Sequence, residues 1–269
     1  MHSAQPKSQL KYTRRSTWRL HVLLLTPLTL LSLILGGCGT TVIANISGTE
    51  TQCPEAVQQL VDSQATSDLE ISLVVDGSGS FMGDRAASGA FVAQQIALTV
   101  DHAVDKSAAL RVIVFGGSAG NARTVVECPI MAVRHRNEAA LPAKLAYLKQ
   151  VARDQVWLVV RNGRPAMARP GTSVVGGYAA LADAAPLTAG RREGLMLSDG
   201  IAIPEMAVSV DLSSFDSIAM CGVGQTEPPP NTPEVDRLAH TWRAWLTLHG
   251  AQQVVVSSQG YSWKVKVAS

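Results

Sequence analysis

The chain has 269 residues, 46% of them hydrophobic and 16% charged, with 22 Gly and 13 Pro. That is enough material for one medium-sized core, and the composition excludes a disordered or collagen-like chain. The formal net charge is +2, but Lys7, Lys11, Arg14, Arg15 and Arg19 fall with no acids in the first 37 positions. Removing those five basic residues takes +2 to −3, and a mildly acidic body gives no electrostatic ground for nucleic-acid binding.

Those basic residues precede an apolar run over residues 20–35, which ends in Leu35-Gly36-Gly37-Cys38. A basic start, a short apolar stretch and small residues make a secretory signal rather than an ordinary spanning helix. Leu-Gly-Gly-Cys resembles the bacterial lipobox. The resemblance implies cleavage before Cys38, a diacylglyceryl group on its thiol and an acylated new terminus. An uncleaved signal anchor is the alternative. Either way the domain is exported and tethered to a membrane of the bacterial envelope, and several acyl chains hold a bilayer more firmly than one.

Residues 39–67 are polar and rich in small side chains, so residues 38–67 read as a tether, with a short helix allowed over residues 54–61. Then strand-like and helix-like patterns alternate. Residues 69–75 form an apolar strand. Residues 88–104 place Val92, Ile96, Val100 and Ala103 at helical spacing. Residues 110–115 and 124–130 are strands, and 137–152 a helix with Leu141, Leu145 and Leu148 on one face. Residues 155–160 fit either a strand or a continued helix. Residues 174–184 form a short helix, and 194–197 and 217–223 are strands. Residues 233–249 form a helix striped by Val235, Leu238, Ala239, Trp242 and Leu246, with Thr232 as the expected cap. Residues 253–257 are a last strand, and 258–269 a tail or edge strand. This alternation predicts an α/β fold, doubly wound around a mostly parallel sheet, over residues 68–257.

Of the cysteines after Cys38, Cys221 lies in an apolar strand and is expected to be buried. Cys53 and Cys128 can form a bridge, which export permits but spacing does not require. No pair has the spacing of a zinc site.

The first strand runs directly into Asp76-Gly77-Ser78-Gly79-Ser80. A carboxylate and two hydroxyls in so short a turn are hard oxygen ligands suited to a divalent cation such as Mg²⁺. In a parallel sheet, loops at the carboxyl ends of the strands share one crevice. Two further oxygen-bearing segments can reach it: Gly171-Thr172-Ser173 before a helix, and Ser198-Asp199-Gly200 after a strand.

In the order Asp76, Ser78, Ser80, Thr172 and Asp199 the chain resembles the von Willebrand factor A (vWA) domain and its metal-ion-dependent adhesion site. The Val112–Phe115 and Ala219–Gly224 segments fit the same pattern. The resemblance implies that Ser78 and Ser80 hold Mg²⁺ or Mn²⁺ directly and Thr172 directly or through water. It implies that Asp76 and Asp199 hold the metal's waters from behind. One coordination position then stays open for an Asp or Glu of a protein partner. Arg161, Arg164 and Arg169 precede Thr172 and are expected in a solvated loop or at the rim of this site. Phe81 and Met82 are expected to pack.

Two other functions compete. A scaffold would carry the same fold with a purely architectural metal. A serine hydrolase would use Asp76, His102 and Ser173, but His102 sits deep in a helical pattern and Ser173 at a helix start. No glycine-rich loop carries the Lys that phosphoryl transfer needs. The expected function is therefore non-catalytic, metal-dependent protein binding or adhesion by an exported lipoprotein.

Overall fold

In the computed structural model, residues 53–82, 86–116, 122–134, 136, 138–167, 173–201, 209–226 and 231–263 are described. The lipobox-like Leu35-Gly36-Gly37-Cys38 lies outside them, as does Thr172. Strand β1, Leu69–Asp76, is buried along its whole length. It is followed by a single helical turn, α2 (Gly79–Met82), and a long helix, α3 (Ala86–Lys106). Strands β2 (Ala109–Phe115) and β3 (Arg123–Cys128) come next. Helices α4 (Leu141–Met167) and α5 (Val174–Asp183) precede β4 (Arg191–Leu197) and β5 (Ser217–Cys221). Helix α6 (Thr232–Leu248) and strand β6 (Gln253–Ser257) complete the body. A short helix, α1 (Glu55–Gln58), precedes them all.

Among the described residues the sheet has six strands in the order β3-β2-β1-β4-β5-β6. Every pairing is parallel except β2 with β3, so the sheet is mostly parallel with one antiparallel edge strand. This is the expected α/β class, doubly wound. The order turns outward in both directions from β1 and β4, which makes the crevice beyond their carboxyl ends the topological switch point.

Alternation along β1 divides the core between the two faces. Leu69, Ile71, Leu73 and Val75 pack with Val92, Ile96 and Val100 of α3 and Leu148 and Val156 of α4. Val74 faces the other way, into a cluster with Tyr178 and Leu181 of α5 and Leu238, Trp242 and Leu246 of α6. Each such large apolar side chain contributes on the order of 2 kcal/mol by leaving water. Helix α5 sits unusually close to the sheet. A Cβ at Gly177 would come within 2.9 Å of the Phe115 ring and 3.0 Å of Met196.

Strand β1 is less apolar than its sequence suggests. Glu70 and Ser72 are fully buried on the same face as Val74 and Asp76. Arg111 Nη1 donates to Glu70 Oε1 at 2.7 Å, and Arg192 Nε lies 3.4 Å from Oε2. Ser72 Oγ and the Leu187 amide also donate to this carboxylate, at 3.0 and 2.9 Å. Arg192 is further seated over the Phe215 ring, 4.1 Å from its centroid.

Several boundaries differ from the sequence reading. Residues 155–160 continue α4, which runs to Met167. Arg161 and Arg164 are therefore on helical backbone rather than in a loop, while Arg169 lies outside the described residues. Asn231, not Thr232, caps α6, its side chain accepting from the Glu234 amide at 3.0 Å. Residues 258–263 form no strand. Instead the Tyr261 amide donates to Gln95 Oε1, and the Trp263 ring stacks on His102.

Part of the segment expected as a tether is packed on the body. Cys53, Val57 and Val61 are buried in the core, and Val61 bridges Val133. Cys53 is joined to Cys128 by a disulfide across 75 positions. It fastens residues 53–62 to the end of the edge strand. Closing a loop of that length is worth roughly 2–4 kcal/mol, chiefly by restricting the unfolded chain. Cys53→Ala/Cys128→Ala should lower stability by about that much in urea titrations. Dithiothreitol should then shift the wild type toward the variant and leave the variant unmoved.

Cys221 is buried and free, as expected, and burial pushes its thiol up to about 12, which makes it an inert packing residue.

Candidate functional site

Asp76 ends β1 at the switch point, and the chain turns there because its own carboxylate organises the turn. Asp76 Oδ1 accepts from the Ser78 amide at 2.8 Å, and the Gly77 amide donates to Phe115 O at 2.7 Å. Helix α2 begins at Gly79, and the Met82 amide donates to Ser78 O. Phe81 and Met82 are buried beneath it, as packing residues. The turn therefore rests on a hydrophobic floor.

Above that floor the Ser78 and Ser80 hydroxyls are hydrogen-bonded to each other, their oxygens 3.0 Å apart. Ser78 is buried and Ser80 is exposed. A Cβ placed on Gly79 between them would meet nothing within 4 Å. Gly79 and Ser80 therefore lie at the surface of the turn, with Ser78 beneath them.

Strand β4 brings the second loop. Ser198 and Asp199 are buried, and Ser198 Oγ donates to Asp76 Oδ2 at 2.7 Å. The Gly200 amide donates to Ser198 Oγ at 3.2 Å, and the Ile201 amide to Asp199 Oδ1 at 3.1 Å. Gly200 has φ +65°, and a Cβ there would come 3.0 Å from Met220 Cε and 3.1 Å from Trp242 Nε1. Glycine is required on both counts. Trp242 Nε1 donates to Gly200 O at 2.8 Å, and Gly224 N to Asp199 O at 2.7 Å, so α6 and the loop after β5 hold this turn in place.

Of the five residues expected to meet, the structure brings Asp76, Ser78, Ser80 and Asp199 into one crevice. Thr172 lies outside the described residues. Its neighbour Ser173 caps α5, accepting from the Gly176 amide at 3.0 Å. Ser198, read from the sequence only as part of the oxygen-bearing Ser198-Asp199-Gly200 turn, is a further member of the crevice.

The electrostatics of the crevice are unbalanced. Burial, and then repulsion from Asp199, push the Asp76 carboxyl up to about 7, against the lowering effect of its hydrogen bonds with Ser78 and Ser198. No Lys, Arg or His among the described residues forms an ion pair with Asp76. Glu70, on the same face of the same strand, has two guanidiniums. Buried charge is tolerated when paired, so the Asp76 site is short of a cation in a way the Glu70 site is not.

The donor set fits a small hard cation. Cis ligands of an octahedron with bonds of 2.0–2.1 Å are separated by about 2.9 Å, close to the Ser78–Ser80 oxygen distance. Both Asp76 oxygens already accept hydrogen bonds from the protein, which suits a carboxylate set behind the metal rather than on it. Among the described residues no group of three or more His, Cys, Asp and Glu is arranged to hold a metal. The candidate centre is instead two carboxylates plus hydroxyls.

Asp76, His102 and Ser173, the alternative hydrolase set, have separate partners. His102 stacks on Trp263 with centroids 4.7 Å apart, and its Nε2 is 3.9 Å from Glu193. Burial holds the His102 pKa below its usual value. The Ser173 hydroxyl is engaged by the helix cap.

No protein-family model matches the chain, and no curated protein matches it. Solved structures to which it is similar include an aerotolerance-related membrane protein from Bacteroides fragilis. That alignment has 18% identity, covers 70% of this chain and 90% of that one, and has a TM-score of 0.43. A von Willebrand factor type A protein from Catenulispora acidiphila aligns at 17% identity over 66% of this chain, with a TM-score of 0.37. The pilus adhesin SpaC from Lactobacillus rhamnosus GG aligns at 10% identity over 74% of this chain, with a TM-score of 0.39. The chain spans 38% and 29% of the length of these last two.

Proposed function

We propose that this chain is an exported, lipid-anchored vWA-type domain that binds a protein partner through a divalent cation. Mg²⁺ or Mn²⁺ would be held by Ser78 and Ser80, with Thr172 from the loop before α5 and with Asp76 and Asp199 behind. A bound cation would supply the positive charge that Asp76 lacks, and an electron-poor coordination position for an Asp or Glu side chain of the partner.

One observation carries this reading. The buried Asp76 carboxylate has no basic ion-pair partner among the described residues and is pushed up by its neighbour Asp199, while the Ser78 and Ser80 hydroxyls lie together in the same turn, 3.0 Å apart. The chain's own residues do the remaining work. Asp76 orders the turn, Phe81 and Met82 support it from below, and the Gly200–Trp242 hydrogen bond fixes the opposing loop.

Export is supported by the Cys53–Cys128 disulfide, which belongs to an oxidising compartment, and by the lipobox-like Leu35-Gly36-Gly37-Cys38. Cys38, the last residue of that lipobox-like segment, is the proposed anchor. The proposal includes no catalytic step.

The test is capture of envelope proteins on the immobilised chain with Mg²⁺, with EDTA, and on Ser78→Ala/Ser80→Ala. A partner retained with Mg²⁺ and lost in the other two arms is the expected result. A partner retained equally in all three contradicts metal-dependent binding and favours a scaffold.

A further inference from the structure

Ser198 lies outside the five-residue pattern, yet it makes the shortest hydrogen bond to Asp76, and it is fully buried. A hydroxyl has one proton to donate. The Gly200 amide donates to one lone pair of Ser198 Oγ, and the hydroxyl proton is given to Asp76 Oδ2. Asp76 Oδ1 is held separately by the Ser78 amide. With both oxygens engaged the carboxylate cannot turn toward the crevice without breaking a buried hydrogen bond.

Resting on the metal-site reading above, we infer that Ser198 is a positioning residue that makes the site selective for Mg²⁺ over Ca²⁺. The two ions differ in what they tolerate. Mg²⁺ demands near-ideal octahedral geometry and keeps its waters, whereas Ca²⁺ takes more oxygens at longer range in flexible sites. A carboxylate fixed at both oxygens suits the first ion. A carboxylate released at Oδ2 is free to swing onto the metal, which suits the second. Ser198 is itself fixed from the far side. Gly200, which donates to it, is pinned by Trp242 of α6, and the Ser198 amide donates to Cys221 O of β5. The clamp is therefore part of the sheet and its helix layer, not of the exposed turn.

Mg²⁺ and Ca²⁺ titrations of the wild type, Ser198→Ala, Ser198→Thr and Ser198→Cys test this. Loss of a group that orients a metal's carboxylate typically costs 10–100-fold in affinity. Ser198→Ala should lose about tenfold in Mg²⁺ affinity with a smaller change for Ca²⁺, so the selectivity ratio falls. Ser198→Thr, which keeps the hydroxyl, should restore the ratio, and Ser198→Cys, a weaker donor, should fall between. An unchanged ratio in Ser198→Ala overturns the role of Ser198. So does a Thr variant that behaves like Ala, because the hydroxyl would then not be the cause. If the wild type binds neither ion, the metal-site reading itself fails, a result distinct from either of these.

Discussion

Asp76→Asn is expected to stabilise the metal-free protein at alkaline pH while abolishing its response to Mg²⁺. The Asp76 carboxyl titrates near 7 in the folded protein against an ordinary value of 3.8. Between those values the folded state holds a proton that the unfolded state has released. Stability therefore falls as pH rises from about 4 to about 7, and stays low above that. Three pKa units correspond to roughly 4 kcal/mol, to be read as an order of magnitude for so buried a group. Asparagine does not titrate, so the variant should lack this slope.

Part of the gain is offset, because the charge-assisted hydrogen bonds with Ser78 and Ser198 become neutral ones. A net advantage of about 2 kcal/mol for Asp76→Asn near pH 8 remains. At about pH 4 the advantage should vanish. Saturating Mg²⁺ should reverse the order, since ligand at a hundred times its Kd adds about 2.7 kcal/mol to the wild type and nothing to a protein that cannot bind it. Urea titrations at the two pH values, with and without Mg²⁺, measure all four cases. A variant less stable than the wild type in metal-free alkaline buffer would refute the claim that Asp76 is a strained, uncompensated charge.

Removing Glu70 should have the opposite sign. Glu70→Ala leaves Arg111 and Arg192 buried at 2% and 4% exposure without their shared carboxylate. Breaking a buried ion pair from one side costs about 3–5 kcal/mol. Arg111 keeps Glu127 Oε2 at 3.2 Å and Arg192 keeps Ser214 and the Phe215 ring, which places the loss toward the lower end of that range. The Leu187 amide and the Ser72 hydroxyl lose an acceptor as well.

Because Glu70 lies six residues from Asp76 along an extended strand, roughly 20 Å away, Mg²⁺ affinity of the folded protein should stay unchanged. Urea midpoints and metal titrations on the same samples separate the two effects. A Glu70→Ala variant as stable as the wild type would show that the network contributes nothing net. A parallel fall in Mg²⁺ affinity would show that the two ends of β1 are coupled.

The contrast between these carboxylates explains what the sequence can and cannot convey. Asp76 was legible because Ser78 and Ser80 are its neighbours in the chain, and because Gly77 and Gly79, on either side of Ser78, advertise the turn. Glu70 was hidden inside an apolar run, and its guanidiniums come from 41 and 122 positions away. Ser198 is likewise 122 positions from Asp76. Such a contact depends on the register of β1 against β4, which local pattern does not encode.

The α/β alternation and the burial of Cys221 followed from periodicity and composition. The length of α4 did not, since residues 155–160 are apolar enough for either a strand or a helix. The cap of α6 shifted by one residue because Asn231 and Thr232 are both good caps, and only the backbone decides between them. The packed segment from Cys53 onward looked like a tether because so few of its side chains are apolar. Its attachment comes from a disulfide, from backbone hydrogen bonds and a bridge to residues 132–134, and from only three buried side chains, Cys53, Val57 and Val61.

The proposed cation at Ser78 and Ser80 is tested most directly by calorimetric titration with Mg²⁺ near pH 8, where Asp76 is mostly ionised. The wild type should show one saturable site, reversed by EDTA. Ser78→Ala/Ser80→Ala should be folded, with an unchanged far-ultraviolet circular dichroism spectrum and no detectable binding. Equal binding by both proteins, or none by the wild type, would contradict the metal site.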